Sequence, residues 1–208
     1  MDIIFFIVSF LAFIVALTVH EFCHGFTAYL LGDNTAKDQG RLTFNPLAHI
    51  DWFGTVFLPL ILILTNAGIV FGWAKPVPVN YYNLRKGRLG IALVSLAGPA
   101  ANFVTGVIAM IVLKFVLIYA GLGEGNLLVY FLVSLVMVNF VLMIFNLIPI
   151  PPLDGSKVLF SLLPPRFANI EVVLERYGMF ILIAFLIFGG SILNVIFNWF
   201  LGIMERFL

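Results

Sequence analysis

His20-Glu21-Phe22-Cys23-His24 lies inside a run, residues 3–31, whose other side chains are nearly all apolar. Two imidazoles four positions apart on a helix project from one face, the spacing at which both can bind one Zn²⁺ while the intervening glutamate serves as base. The setting adds weight to the spacing. One ionisable group inside a bilayer costs about 2.5–3.5 kcal/mol on insertion scales, so three within five residues are hard to retain for packing alone. At 1.5 Å per residue the run makes a helix of about 43 Å, enough to span with tilt, with His20 about 17 Å from its carboxyl-terminal end. The stretch predicts a metal site sunk in the membrane, nearer the side on which Gly32 emerges. Cys23 points away from both histidines around the helix and is expected as a small buried hydrophobe.

Composition agrees with this reading. Of 208 residues, 62% are hydrophobic and 10% charged, and the mean hydropathy is +1.14, too little polar surface for a soluble globule. The expected fold class is an all-α polytopic membrane protein. It would form one domain over residues 1–208, with a catalytic core at about 3–163 and a last transmembrane helix at about 178–205. The lipid bilayer is the implied partner, and a net charge of +1 implies no nucleic acid. A single cysteine excludes an internal disulfide framework. The amino terminus lacks the basic region and cleavage site of a signal peptide, so the first run is expected to stay in the mature protein. No motif specifies an oligomeric state.

Outward from the first run, residues 40–46 turn polar and alternate, predicting a short strand at Arg41, Leu42, Thr43 and Phe44 that could pair with an extended substrate. His49 lacks any supporting ligand spacing and reads as a loop residue. Residues 52–71 are apolar and long enough to span, yet Pro59, Asn66, Gly68 and Gly72 break them up, and residues 75–79 read as extended chain. Residues 90–119 and 126–148 are clear spans. The first carries Ala97, Gly98, Ala100, Ala101 and Gly106, small residues that permit close helix approach. The second carries Asn139 and Asn146 on one face, as interhelical polar contacts or, for Asn146, a contact to a substrate backbone. Three prolines at 149, 151 and 152 then forbid helix before Asp154-Gly155. A carboxylate on such a rigid segment suits a third zinc ligand, and equally a turn-forming Asp-Gly at a membrane surface. Residues 171–176 look interfacial, and residues 179–204 form the last span, with Gly189-Gly190 as a possible kink.

For Asp154 to meet the histidines, an odd number of crossings must separate the carboxyl ends of the first run and of residues 126–148. Residues 52–71 are therefore expected to be re-entrant, leaving about four transmembrane helices. The basic residues then fall nine to two, with Lys114 and Arg206 alone opposite, so the metal side should open toward the cytoplasm of a multi-pass cell-membrane protein.

His20-Glu21-x-x-His24, Gly98-Pro99-x-x-Asn102 and Asn146-x-x-Pro149-x-Pro151-Pro152-Leu153-Asp154-Gly155 stand in the order found in the site-2 protease family of intramembrane zinc metalloproteases, which this chain resembles. Residues 44–51 and 73–79 look like a minimal bacterial or archaeal branch, without the PDZ or CBS domain of others. The resemblance implies one zinc per chain held by His20, His24 and Asp154, Glu21 as catalytic base, and transmembrane proteins or peptides as substrates. Contacts to the substrate would come from the Arg41–Phe44 strand and from Asn102 or Asn146. A membrane metal-ion transporter and a non-catalytic helix-binding scaffold are the other classes open to such a chain, but a glutamate beside the first histidine and a proline-held aspartate suit hydrolysis better.

Overall fold

A computed structural model describes residues 3–65, 72–123 and 125–207. Eight α-helices form among them: α1 (Ile3–Leu30), α2 (Thr35–Asp38), α3 (Leu58–Leu64), α4 (Gly87–Tyr119), α5 (Leu127–Asn146), α6 (Asp154–Leu162), α7 (Ala168–Phe188) and α8 (Gly190–Phe207). Of these, α1, α4 and α5 are long and apolar enough to cross a membrane.

These three helices pack together, and their contacts give their directions. Ser9 near the start of α1 bonds Tyr130 near the start of α5 at 3.1 Å, so these two run the same way. Along α4 the order reverses: Val94 meets His24, while Asn102, further on, meets His20 and Ala16. The carboxyl ends of α1 and α5 therefore open at one end of the bundle, as the counting argument required. Away from the site, Ala12, Ala109, Met110, Leu135, Val136 and Phe140 form a dry core, with the small residues letting the helices close up.

α1 stops at Gly32, whose φ of 104° only glycine adopts without strain. The N–H groups of Gly32 and Asp33 bond back to the Tyr29 and Ala28 carbonyls at 3.0 and 2.9 Å, a paired closure of the last turn that turns the chain away. Asp33 is fully buried. It accepts from Thr35 N and Oγ1, from Asn83 Nδ2 and from Asn80 N, tying the loop before α4 to the end of α1. Burial works to raise its carboxyl, but the bonds from Thr35, Asn83 and Asn80 outweigh that and hold it below the ordinary carboxylate value.

Between α2 and α4 the chain makes a hairpin. A wide helical stretch at Trp52–Phe57 continues into α3, and together they cover 13 residues, Trp52–Leu64, fewer than the roughly 20 that a crossing needs. Trp73 N bonds Gly54 O at 3.1 Å and Lys75 N bonds His49 O at 3.0 Å, so the chain returns where it left. Residues 66–71, the second part of the segment expected to re-enter, lie outside the described residues.

Two expectations need correction. No strand forms among the described residues. Arg41 precedes three bends at Leu42, Thr43 and Phe44, and what reaches residues 75–76 is the Arg41 side chain, whose Nη2 donates to the Lys75 and Pro76 carbonyls at 2.8 and 3.2 Å. A side chain takes up the acceptors that a backbone ladder would need. The last span, expected over 179–204 with a kink at Gly189-Gly190, does break there but starts earlier. α7 already begins at Ala168, taking the polar residues 171–176 into its first turns, and breaks at Gly189 before α8. Two successive glycines are the poorest helix formers short of proline. Gly178 lies against Pro151, Phe200 against Phe140 at 4.2 Å, and Lys114 Nζ bonds Phe207 O. The pair α7–α8 thus runs from the site end to the far end of the bundle.

Candidate metal centre

His20 and His24 sit in the second half of α1, both buried, on the face turned toward α4 and α6. The turn after α5 carries the prolines, so the backbone cannot continue as helix there, and α6 starts at Asp154. A carboxylate in the first turn of a helix lies where the unpaired N–H groups favour negative charge. That turn brings it to the histidines: Asp154 Oδ2 is 3.2 Å from His20 Nε2 and 3.1 Å from His24 Nε2. The two Nε2 atoms are 2.9 Å apart.

The far side of each imidazole explains why these three atoms face one another. His20 Nδ1 lies 2.6 Å from Asn102 Oδ1. Asn102 Nδ2 is occupied by Ala16 O and by Asn139 Oδ1 at 3.2 and 2.9 Å, and Asn139 Nδ2 by Leu135 O at 2.8 Å. Each amide is therefore oriented, Asn102 presents an oxygen, and His20 Nδ1 must carry the proton. The same holds for His24, whose Nδ1 is 2.7 Å from the Val94 carbonyl. Both Nε2 atoms thus turn bare lone pairs inward, beside a carboxylate oxygen. Three acceptors about 3 Å apart repel unless a cation lies among them. Two imidazole nitrogens and one carboxylate oxygen form a donor set that zinc takes, with the outer nitrogens held as metal-ligating histidines usually are. Among the described residues, this is the only group of three or more His, Cys, Asp or Glu side chains placed to hold a metal ion.

Gly98 completes the cradle. A Cβ there would lie 2.4 Å from His24 Nε2 and 2.7 Å from His20 Nε2, so only glycine lets α4 close on the donor pair.

Glu21 is buried and lines the same cavity of about 620 Å³ as His20, His24 and Asp154. Its Oε2 accepts from Val77 N at 2.8 Å. The extended chain at Val77, which proline on either side keeps out of helix, thus orients the carboxylate by one oxygen. Lys157 also lines the cavity. Burial works against its charge, but Tyr81, Asp154 and Glu21 hold its ammonium above the ordinary lysine range.

The remaining sequence-derived residues fall in different places. Asn102 has no exposed surface and reaches the site from behind, through His20. Asn146 lines the cavity and donates to Leu142 O at 3.0 Å in its own helix. Arg41 braces the 75–76 carbonyls, and Phe44 stacks on Phe22 with centroids 3.9 Å apart. His49 is fully buried away from the donors, with Nε2 2.8 Å from Thr43 O. Asn139, readable from sequence as an interhelical polar contact or a substrate contact, accepts from Asn102, a link that residue type does not announce. The Val94 carbonyl and the Val77 N–H likewise carry no residue-type signal.

Two imidazole nitrogens and a carboxylate oxygen able to hold one metal ion, beside a buried glutamate and a cavity, suit zinc-dependent hydrolysis. The model of peptidase family M50 matches residues 8–123 and 118–188, and the chain belongs to this family, the site-2 proteases. It is 42% identical over 173 residues to the provisionally named zinc metalloprotease YwhC of Bacillus subtilis, covering 81% of this chain and 74% of that one. It is 31% identical over 185 residues to the likewise provisional zinc metalloprotease Rip2 of Mycolicibacterium smegmatis, covering 88% and 67%. Zinc metalloprotease MJ0392 of Methanocaldococcus jannaschii is 26% identical over 195 residues, 93% of this chain and 46% of that one. No solved structure matches the chain.

Proposed function

We propose that this zinc metallopeptidase is an intramembrane protease, one domain over residues 1–208, that hydrolyses peptide bonds in or near transmembrane segments of other proteins. The observation that carries the proposal is the depth of the donor set. His20 and His24 sit within α1, one of the helices able to cross a membrane, with a cavity opening on them. Four spans would be α1, α4, α5 and the broken pair α7–α8, with Trp52–Leu64, too short to cross, staying on the metal side. Nine of the 11 basic residues then lie on that side, a bias that supports its opening toward the cytoplasm.

His20, His24 and Asp154 would hold the ion. Zinc, when bound, supplies a Lewis acid that lowers the pKa of water and polarises a carbonyl. Everything else is the work of this chain. The Asn139–Asn102–His20 relay and the Val94 carbonyl keep both imidazoles in the tautomer that turns Nε2 inward. Glu21, oriented through Oε2 by the Val77 N–H, has Oε1 to take a proton from the attacking water and return it to the leaving amine. A helical substrate hides its peptide bonds in i to i−4 pairing and must unwind before attack. The Asn146 amide, which lines the cavity, and the Leu42–Phe44 bends would contact the unwound backbone.

Glu21→Gln tests the reading. The variant should bind zinc as the wild type does, and membrane proteomics of cells carrying it should show single-span precursors that the wild type removes. Unchanged proteolysis by the purified, zinc-loaded variant would remove Glu21 from its role.

A further inference from the structure

We propose that Lys157 is a catalytic residue of the same site, its ammonium meeting the oxygen that becomes negative when the scissile carbonyl is attacked. The proposal rests on the protease reading above and adds a residue to it. Lys157 follows Asp154 by three positions on α6, a spacing at which side chains share a helix face with Cβ atoms about 5–6 Å apart. Both line the cavity that also contains His20, Glu21 and His24. A lysine side chain is long enough to close that gap from one turn further along the helix.

Its surroundings set this cation apart from the others near the cavity. The guanidinium of Arg88 donates to the Phe160 carbonyl, and that of Arg41 to the carbonyls of Lys75 and Pro76. Lys157 is half-buried yet forms no ion pair among the described residues, where the only such pairs join the histidines to Asp154. Glu175 lines the same cavity without pairing to it. Lys157 Nζ lies 5.9 Å from the Tyr81 ring centroid and also hydrogen-bonds the Tyr81 side chain. An ammonium has three N–H groups, so one given to Tyr81 leaves others to donate into the cavity. Asp154 and Glu21 favour the ammonium across the cavity without either forming an ion pair with it, so its charge is kept where negative charge develops during turnover. When water adds to the carbonyl carbon, the C=O π pair moves onto oxygen, and Lys157 donates a hydrogen bond to it without losing its proton. When the C–N bond breaks, that pair re-forms the carbonyl, and the amine leaves with the proton from Glu21.

The test uses the purified full-length chain in detergent, with zinc content and thermal midpoint recorded for each variant. The probes are N-phosphoryl-Leu-Ala, a tetrahedral anion, and N-acetyl-Leu-Ala amide, its neutral counterpart. Lys157→Met should keep zinc and the thermal midpoint and bind the neutral amide as the wild type does. It should bind the phosphoryl dipeptide at least about tenfold more weakly and, on unfolded casein, lose about 100-fold in kcat with KM within threefold. Lys157→Arg should recover much of the anion binding. The proposal is overturned if Lys157→Met binds the anion within threefold of the wild type, if both probes weaken equally, or if the wild type itself does not prefer the anion. Retained cleavage by Glu21→Gln would strike the protease mechanism and leave the anion preference to be judged separately.

Discussion

The two sides of the histidine pair are built differently. Behind it, three helices meet through side-chain amides, and Asn102 and Asn139 have no exposed surface. Each of their donors has an acceptor, ending on the carbonyls of Ala16 and Leu135. In front lies loop: the extended chain at Val77, held to Glu21 by one backbone bond, and the half-buried Arg41 side chain bracing it. The contrast follows from the work of each side. Ligand geometry tolerates little error, so the rear wall is made of packed helices and satisfied polar groups. A substrate has to enter, so the front is made of chain with fewer buried contacts and a lower cost of opening.

The largest effect that would break this contrast comes at Gly98. In Gly98→Ala the new methyl lies where the two Nε2 atoms converge, and α4 cannot retreat without pulling Asn102 from His20. Zinc content should fall to about a tenth or less and cleavage by more than about 100-fold, with the helical circular-dichroism signal unchanged. Full zinc occupancy in this variant would mean that the rear wall yields, and the two sides would no longer differ.

Asp33 tests the front, because its carboxylate takes the Asn80 N–H and the Asn83 amide and so helps tie the 80–83 turn to the end of α1. Asp33→Ala leaves the donors of Thr35, Asn80 and Asn83 without their acceptor and should cost about 3 kcal/mol, read as a lowered thermal midpoint in detergent. The native carboxyl is held below its ordinary value of 3.8, so its contribution is fully present above that pH and disappears as the pH falls through the folded-state value. Wild-type protein should therefore lose the pinned turn on acidification, seen as lower protection factors at 80–83 once the slower intrinsic exchange in acid is divided out. Asp33→Ala should already show fast exchange there at neutral pH. Equal protection of both proteins at neutral pH would show that the turn is held by something else.

Behind the histidines, Asn102→Leu removes the oxygen that fixes the His20 tautomer and leaves Asn139 without a donor. Zinc affinity should weaken about 10–100-fold, as for loss of an outer partner of a ligating histidine. Asn139→Leu, one step further back, should weaken it less. If the order is reversed, the relay does not run from Leu135 toward the metal.

Much of this was legible from residues alone, because membrane spans and ligand spacings are strong local signals. The runs 3–31, 90–119 and 126–148 correspond to α1, α4 and α5 within three residues at each end. The proline run also marked where helix stops before Asp154, though Asp154 and Gly155, expected as a turn, are already the first residues of α6. The expected strand at Arg41–Phe44 did not form, because alternation says nothing of whether a partner backbone lies alongside. Small residues around Gly98 announced a close approach, though not that the surfaces approached would be imidazoles. Asn102 could be singled out from its motif, yet which way its amide faces is decided by Asn139 on another helix. Backbone groups such as Val94 O and Val77 N–H leave no trace in residue type, so the geometry around both histidines and Glu21 came only with the packing.

The mildest change should fall on Arg41. In Arg41→Met the 75–76 carbonyls lose two hydrogen bonds from a half-buried guanidinium, partly offset by removal of a buried Nε that has no partner among the described residues, so the stability cost should be about 1 kcal/mol. Its effect should be local: the 72–80 chain loosens, the Val77 N–H spends less time on Glu21, and KM for unfolded casein rises about threefold with zinc content unchanged. Amide exchange should quicken at Val77 but not in α4 or α5, because the rear wall does not depend on this brace. If exchange quickened equally on both sides of the histidines, front and rear would be one cooperative unit, and a movable front on a fixed rear would have to be abandoned.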